Sequence, residues 1–298
     1  MTASLSPAEE TPFHRFVSEF AASKLALFGL FVFVLIALAA IFANWIGPQN
    51  PYDLAQLDIM DGRLPPGSKS GAGYTYLLGT DDQGRDMFSG MLYGLRISLA
   101  VGVGSALFAA CVGTTLGLLA AFFGRRVDAI IMRIVDLQLS FPSILVALMI
   151  LAILGKSVMN VVLALVIVEW AGYARNVRAI AMVERKREYI EAAMCLALPW
   201  RRIMFRHLLP NCLPPLIVIA TQQVARAIAL EATLSFLGLG VPITEPSLGL
   251  LIANGYQYML SGKYWISFYP GLALLITIVS INLVGDHLRD VLNPRLKR

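Results

Sequence analysis

The sequence predicts an all-α integral membrane protein that crosses the bilayer with six helices. Of its 298 residues, 57% are hydrophobic and 14% are charged, and the mean hydropathy is +0.70. Soluble domains carry about 25% charged residues. Several apolar stretches also reach the length of about 20 residues that a helix needs to cross the hydrocarbon core. These observations exclude an ordinary soluble domain and indicate one polytopic unit.

Six segments have the length and composition of a membrane span. The first carries no charge and is too long for the core of a cleaved signal peptide, so we expect a retained anchor. The second contains Gly113 and Gly117, whose small size lets another helix approach closely in lipid. The predicted spans are 25–46, 97–123, 130–154, 158–180, 208–237 and 266–284.

The distribution of basic residues orients these spans. With the amino terminus inside, seventeen of the 24 lysines and arginines fall on the cytoplasmic side and six on the outer side, while Arg226 falls within the fifth span. An excess of Lys and Arg marks cytoplasmic loops. We therefore expect both termini in the cytoplasm. The prediction comprises a cytoplasmic segment over 1–24 and a six-span domain over 25–298, with an outer loop at 47–96 and a cytoplasmic loop at 181–207.

The net charge of +5 comes from one part of the chain. The segment from Arg175 to Arg206 contains eight basic and three acidic residues. Its own net charge of +5 therefore equals that of the whole chain. Because this segment follows a predicted span, it indicates a cytoplasmic loop rather than a nucleic-acid partner. The three cysteines and three histidines show no metal-ligand spacing. We therefore predict no disulfide framework, no metal site and no cofactor in this chain.

The charged residues within predicted spans include Asp136, Glu169, Arg226 and Glu231. Charges at membrane depth are costly and usually face protein or water. Arg226 and Glu231 are five residues apart, too far round one helix for an ideal pair. Each is therefore expected to have a partner elsewhere or to lie near the outer interface. Two roles stay open for these side chains, lining a translocation path or fixing helices together.

The stretch 188–211 predicts two short helices on the cytoplasmic side. Residues 188–197 are mostly good helix formers, and Pro199 suits the first turn of a second helix. The second helix is amphipathic, which is also typical of a helix resting on anionic lipid. Its apolar and basic faces consist of Trp200, Ile203, Met204 and His207 and of Arg202 and Arg206, respectively.

This loop resembles a conserved segment of permeases from importers of the ATP-binding-cassette (ABC) class. That segment reads Glu-Ala-Ala, three residues, Gly, nine residues and Ile-x-Leu-Pro. Here Ala197 replaces the Gly and His207 replaces the Ile. In the family the segment is a coupling helix that docks into the ATPase, and the resemblance implies the same role here. The residues concerned are Glu191, Ala192, Ala193, Ala197, Arg201, Arg202, His207, Leu209 and Pro210.

A second motif, before the second span, resembles the Leu-Gly-Thr-Asp-x-x-Gly-Arg-Asp signature of peptide and nickel permeases. Asp81 to Gly84 is typical of a turn, and we expect Arg85 to pair with nearby carboxylates. This reading makes the motif structural rather than a substrate contact. The signature residues are Gly79, Thr80, Asp81, Gly84, Arg85 and Asp86. The carboxyl-terminal pattern resembles the second permease of such importers and comprises Asn282, Gly285, Asp286, Arg289, Asp290, Pro294 and Arg295.

The resemblance implies a type I ABC importer permease fold in the bacterial inner membrane, and transport of dipeptides or oligopeptides by alternating access. The implied partners are a related second permease, a periplasmic substrate-binding protein and two cytoplasmic ATPases, which hold the ATP and magnesium. The chain itself is then non-catalytic. Nickel or glutathione stay open as substrates, because such importers share these motifs. A secondary transporter or channel is the remaining alternative.

Overall fold

The computed structural model describes residues 11–71 and 73–292. Five helices in this part are long and apolar enough to cross a membrane, and a pair of shorter helices joined by a bend makes six when the pair is counted as one span. The predicted all-α, six-span membrane fold is confirmed. Pro294 and Arg295 of the carboxyl-terminal pattern lie outside the described residues.

The helices follow the chain in a simple order, with one short antiparallel hairpin on the outer side. Single 3₁₀ turns cover Leu54–Gln56, Ile59–Asp61 and Met259–Ser261. The hairpin strands are β1 (Ser68–Lys69) and β2 (Thr75–Tyr76). The helices are α1 (Pro12–Ala21), α2 (Lys24–Ile41), α3 (Ala43–Ile46), α4 (Met87–Phe123), α5 (Arg125–Ser140), α6 (Ser143–Leu154), α7 (Val158–Glu184), α8 (Glu188–Cys195), α9 (Trp200–Arg202), α10 (Leu209–Phe236), α11 (Leu248–Tyr256) and α12 (Trp265–Leu292).

Helices α4 and α7 form the centre of the bundle because glycines let their backbones approach. A Cβ atom added at Gly113 would lie 2.5 Å from the carbonyl oxygen of Trp170. One added at Gly117 would lie 2.6 Å from the carbonyl oxygen of Ala174. Both distances are far below van der Waals contact. The close approach expected from these glycines is therefore present, and α7 is the helix that uses it.

The third predicted span is not a straight helix. Helices α5 and α6 meet at an angle of 90°, with Phe141 and Pro142 between them. Proline disfavours the helical conformation of the residue before it, and Phe141 is extended at φ −95° and ψ 142°. The prediction of one helix over 130–154 is therefore wrong in shape, and α5 also begins earlier, at Arg125.

Two arginines assigned to the cytoplasmic loop belong to a membrane helix instead. Helix α7 runs without interruption to Glu184, and Arg175 and Arg178 lie on it. Arg175 pairs with Asp136 of α5, and Arg178 pairs with Asp128 of α5. The expectation that the loop contains all eight basic residues is therefore wrong. These ion pairs join α5 to the carboxyl-terminal half of α7.

The fifth span also differs from its prediction. A π-helical turn (Ile203–Leu208) connects α9 to α10, so that one helix runs from Trp200 to Phe236. Pro210 has no N–H to donate to the carbonyl of Arg206, which fits a wide turn at this point. The second short cytoplasmic helix is therefore not separate. It is the first part of the fifth span.

Candidate coupling surface and membrane groove

Helix α8 is fixed to the bundle by one face. Ile190 and Ala193 are buried in a cluster that includes Leu118 of α4 and Val177 of α7. The other face is open to solvent and presents Glu191, Ala192 and Cys195. Ile190 and Ala193 are three residues apart and share the inward face of the helix, whereas Glu191 lies on the outward face. The Glu-Ala-Ala segment therefore forms an exposed surface held by the core.

The turn after α8 has the geometry for which glycine is usual. Ala197 has a left-handed backbone with φ 52°. Its N–H donates to the carbonyl of Met194, and the N–H of Leu198 donates to the carbonyl of Ala193. This pair of bonds is the Schellman ending of a helix. The Ala in place of Gly therefore preserves the shape of the turn at the expense of backbone strain.

We expect Ala197→Gly to stabilise the protein by about 0.5–1 kcal/mol. A left-handed non-glycine residue costs about 1–2 kcal/mol, part of which is offset by the greater freedom of glycine in the unfolded chain. The midpoint of thermal unfolding of the purified protein measures the change. Ala192→Gly is the matched control, and it should destabilise because Ala192 lies inside α8. A lower midpoint for Ala197→Gly would contradict the expected strain.

The residues after the turn continue this surface on the start of the long helix. Arg201 and Arg202 are exposed, and the guanidinium of Arg201 lies 5.2 Å from the ring centre of Trp200. His207 is half-buried, and its Nε2 has no hydrogen-bond partner in the described part of the chain. Leu209 is half-buried and Pro210 exposed. Buried Ile203 and Met204 and exposed Arg202 and Arg206 give the two faces that the sequence predicts.

The outer signature organises the loop before α4. Asp86 caps α4 by accepting from the N–H of Ser89 at 2.8 Å, and Thr80 Oγ1 donates to the carbonyl of Asp61 at 2.6 Å. Trp265 Nε1 of α12 donates to the carbonyl of Thr80 at 3.2 Å. Gly84 has φ 78°, and an added Cβ would lie 2.0 Å from the carbonyl oxygen of Asp58. These contacts favour the structural reading of the motif.

Arg85 does not form the ion pair that the sequence suggests. Its side chain is buried, and within residues 11–71 and 73–292 its Nε and Nη1 have no hydrogen-bond partner. Asp81 Oδ1 instead accepts from the backbone N–H groups of Gln83 and Arg85, both at 2.8 Å. The turn directs these amides at the carboxylate, so the carboxylate is held by backbone rather than by the guanidinium. The predicted turn is confirmed and the predicted pairing is wrong.

Burial raises the pKa of Asp81 to about 6, although its backbone hydrogen bonds oppose the change. The folded protein then holds this proton more tightly than the unfolded chain. Its contribution to stability is complete below about pH 4 and is lost as the pH rises through 6. We expect the temperature of the unfolding midpoint to decrease as the pH rises from 4.5 to 7. Asp81→Asn should reduce that decrease. An unchanged slope in the variant would contradict the assignment to Asp81.

Glu231 is fully buried between helices. Its Oε2 accepts from Ser98 Oγ of α4 at 2.9 Å, and its Oε1 accepts from Ser235 Oγ at 2.7 Å. Ser98 Oγ also accepts from the N–H of Leu248 at 3.4 Å, at the start of α11. The carboxylate thus connects α4, α10 and α11. Of the two roles left open, this environment favours fixing helices together.

Glu169 of α7 and Arg226 of α10 form an ion pair between their two helices. Arg226 Nε is 3.8 Å from Glu169 Oε1, and Gln223 Nε2 donates to Glu169 Oε2 at 2.7 Å. The Arg226 side chain is 62% exposed and that of Glu169 is 4% exposed. Arg226 therefore has its ion-pair partner on another helix. This agrees with the five-residue spacing from Glu231, which is too far round one helix for an ideal pair.

An open groove of about 920 Å³ extends from Arg226 along α7, α10 and α12. Four amide side chains line it, together with aliphatic ones such as Val218 and Ile219. Sequence reasoning did not find this set because amides are too common to be informative alone. The periodic placement of polar residues along 211–226 is the signal that could have found it. The amides are those of Asn176, Asn211, Gln222 and Gln223.

Residues 113–298 match the family described as the inner-membrane component of binding-protein-dependent transport systems. The chain belongs to this family. Residues 11–66 match the N-terminal transmembrane domain of oligopeptide transport permease C. The permease class expected from the Glu-Ala-Ala loop is thereby confirmed.

The permease is similar to curated transport proteins along nearly its whole length. It is 42% identical to the dipeptide transport system permease protein DppC of Escherichia coli (strain K12), over 98% of this chain and 96% of that protein. It is 40% identical to the di/tripeptide transport system permease protein DppC of Pseudomonas aeruginosa (strain UCBPP-PA14), over 96% of this chain and 93% of that protein.

A solved structure has the same fold. Its title describes inward-facing conformations of the MetNI methionine ABC transporter, and the similarity covers 69% of the permease and 97% of that chain. The TM-score is 0.54 and the identity is 24%. The predicted type I importer permease fold is thereby confirmed, and the coupling segment and the groove lie on a multi-span importer permease.

Proposed function

We propose that the permease forms one half of a membrane conduit for short peptides, driven by separate ATPases. One observation carries this proposal. A single helix from Trp200 to Phe236 connects the exposed coupling surface at its cytoplasmic end to the polar groove at Gln222 and Arg226. A movement imposed on the first end is therefore delivered to the second. The peptide substrates named for the relatives support the choice of cargo.

The exposed polar face of α10 supports a second permease as partner. Asn211, Gln222, Arg226 and Thr233 are all exposed along this helix. Polar and charged side chains at membrane depth face protein or water rather than lipid. A related permease placed across this face encloses the groove between two chains. Arg226 then lines the path with buried Glu169 as its ion-pair partner, whereas Glu231 and Asp136 fix helices.

The remaining partners follow from the two ends of the molecule. Two cytoplasmic ATPases, which bind ATP and magnesium, dock on the segment from Glu191 to Pro210 in the inner membrane of a bacterium. A periplasmic binding protein delivers the peptide to the outer side. ATP-driven closure of the ATPases turns the groove outward, and hydrolysis returns it inward. Both termini lie in the cytoplasm, and the permease contributes no catalytic group.

Uptake by the reconstituted importer tests this function. The permease is placed in liposomes with its co-encoded permease, ATPases and binding protein, and accumulation of a labelled dipeptide, nickel ion and glutathione is compared. We expect dipeptide accumulation that requires ATP and all subunits. Accumulation of nickel or glutathione alone would assign another cargo. Accumulation without any ATPase would assign a secondary transporter.

A further inference from the structure

Arg226 is an exposed cation deep in the membrane. It lies ten residues before the outer end of α10 at Phe236, a rise of about 15 Å along the helix axis. Its side chain is 62% exposed in the isolated permease. An arginine at such depth is costly against lipid. The side chain therefore faces water or a polar partner when the importer is assembled.

Glu169 does not form a hydrogen bond with Arg226. The separation of 3.8 Å between Arg226 Nε and Glu169 Oε1 exceeds a hydrogen bond, and Gln223 donates to the other oxygen of Glu169. Glu169 is buried behind the arginine, so it compensates the charge from one side only. Within the described part of the chain, the guanidinium has no hydrogen-bond acceptor. Its donors are therefore available to a ligand in the groove.

The surrounding groove suits a peptide main chain. Amide side chains both donate and accept hydrogen bonds, so Gln222 and Asn176 can pair with peptide groups whatever side chains the peptide has. The aliphatic part of the lining tolerates apolar peptide side chains without selecting among them. Every short peptide also carries a charged terminal ammonium and a charged terminal carboxylate, and a guanidinium complements the carboxylate.

We infer that Arg226 binds the carboxyl-terminal carboxylate of the peptide during its passage. A guanidinium matches a carboxylate with two parallel hydrogen bonds, and it replaces the hydration that the anion loses at membrane depth. Glu169 positions the guanidinium from behind, and Gln223 positions Glu169. The inference rests on the proposed function, because it concerns a peptide in the same conduit.

Three variants of the complete reconstituted importer separate this role from a purely structural ion pair. They are Arg226→Gln, Glu169→Gln and the double variant Glu169→Gln with Arg226→Gln. We expect at least a tenfold fall in maximal dipeptide uptake for Arg226→Gln and an equal fall for the double variant. We expect Glu169→Gln to stay within threefold of wild type. Arg175→Gln, which breaks the ion pair with Asp136 outside the groove, is the matched control and should stay within twofold.

Each result has a definite reading. Restoration of uptake in the double variant would show that Arg226 only neutralises Glu169, and it would overturn the inference. Normal uptake by Arg226→Gln, or loss of the second permease from both Arg226→Gln and the double variant, would also overturn it. If Arg226→Gln does not assemble, uptake by the double variant decides, because it leaves no unpaired charge. Absence of peptide uptake by the wild-type importer would instead refute the proposed function.

Discussion

Replacing Glu231 with alanine is expected to destabilise the permease by about 3–5 kcal/mol. The substitution removes the acceptor of two buried hydroxyl donors, Ser98 Oγ and Ser235 Oγ. A buried donor without a partner costs about 1–3 kcal/mol, and the lost side-chain volume adds a cavity. Because Ser98 also contacts the start of α11, this short helix should loosen first. The midpoint of thermal unfolding of the purified complex measures the effect.

Glu231→Gln separates the hydrogen bonds from the charge. Glutamine keeps one acceptor oxygen and almost the same volume, so we expect less than about 1.5 kcal/mol of destabilisation and near-normal uptake. Thr233→Ala is the matched control, because Thr233 lies on the exposed side of the same helix. If glutamine proves as damaging as alanine, the negative charge itself is required, and the helix-fixing role is wrong.

Replacing Glu191 with arginine is expected to weaken docking of the ATPases by at least about tenfold while membrane insertion stays normal. Glu191 is exposed on the free face of α8 and forms no ion pair within residues 11–71 and 73–292. Reversal of one interfacial charge juxtaposes like charges, which costs several kcal/mol when the contact is close. The amount of ATPase that copurifies with the permease and the rate of peptide uptake measure the change.

Glu188→Arg is the matched control for this experiment. Glu188 lies in the same helix and is also exposed, but it precedes the Glu-Ala-Ala motif. Both reversals place a positive charge near the amino-terminal end of α8, so both weaken the helix to a similar degree. We expect the control to retain at least a third of the wild-type ATPase. Equal loss in both variants would assign the effect to the helix and not to docking at Glu191.

The membrane spans could be predicted from the sequence because hydropathy depends on composition alone. Five predicted spans coincide with long helices, and their bounds differ by up to ten residues. The largest difference is at α4, which begins at Met87 rather than at 97 because Asp86 caps it. The bend at Pro142 was missed because the apolar run continues on both sides of it. The proline was the available signal.

The coupling segment could also be predicted, since its spacing is a property of adjacent residues. Its unusual Ala197 keeps the left-handed turn, because the bonds to Ala193 and Met194 hold the helix end in place. The continuity of α9 and α10 could not be predicted. The prolines at 210, 214 and 215 suggest a break, whereas packing of Met204 and Leu208 in the core holds one helix through a π turn.

The sequence by itself determined that this protein is a multi-span importer permease that carries a Glu-Ala-Ala segment. Those features follow from local composition and from motifs of neighbouring residues. Only the tertiary structure decided how the charged residues are used. It places Glu231 among serines, Arg226 beside Glu169 at an open groove, and Asp136 beside Arg175. Except for Ser235, which is four residues from Glu231, the partners in these contacts lie 39 to 133 residues apart in the chain. The faces on which two helices meet are set by packing of the whole bundle.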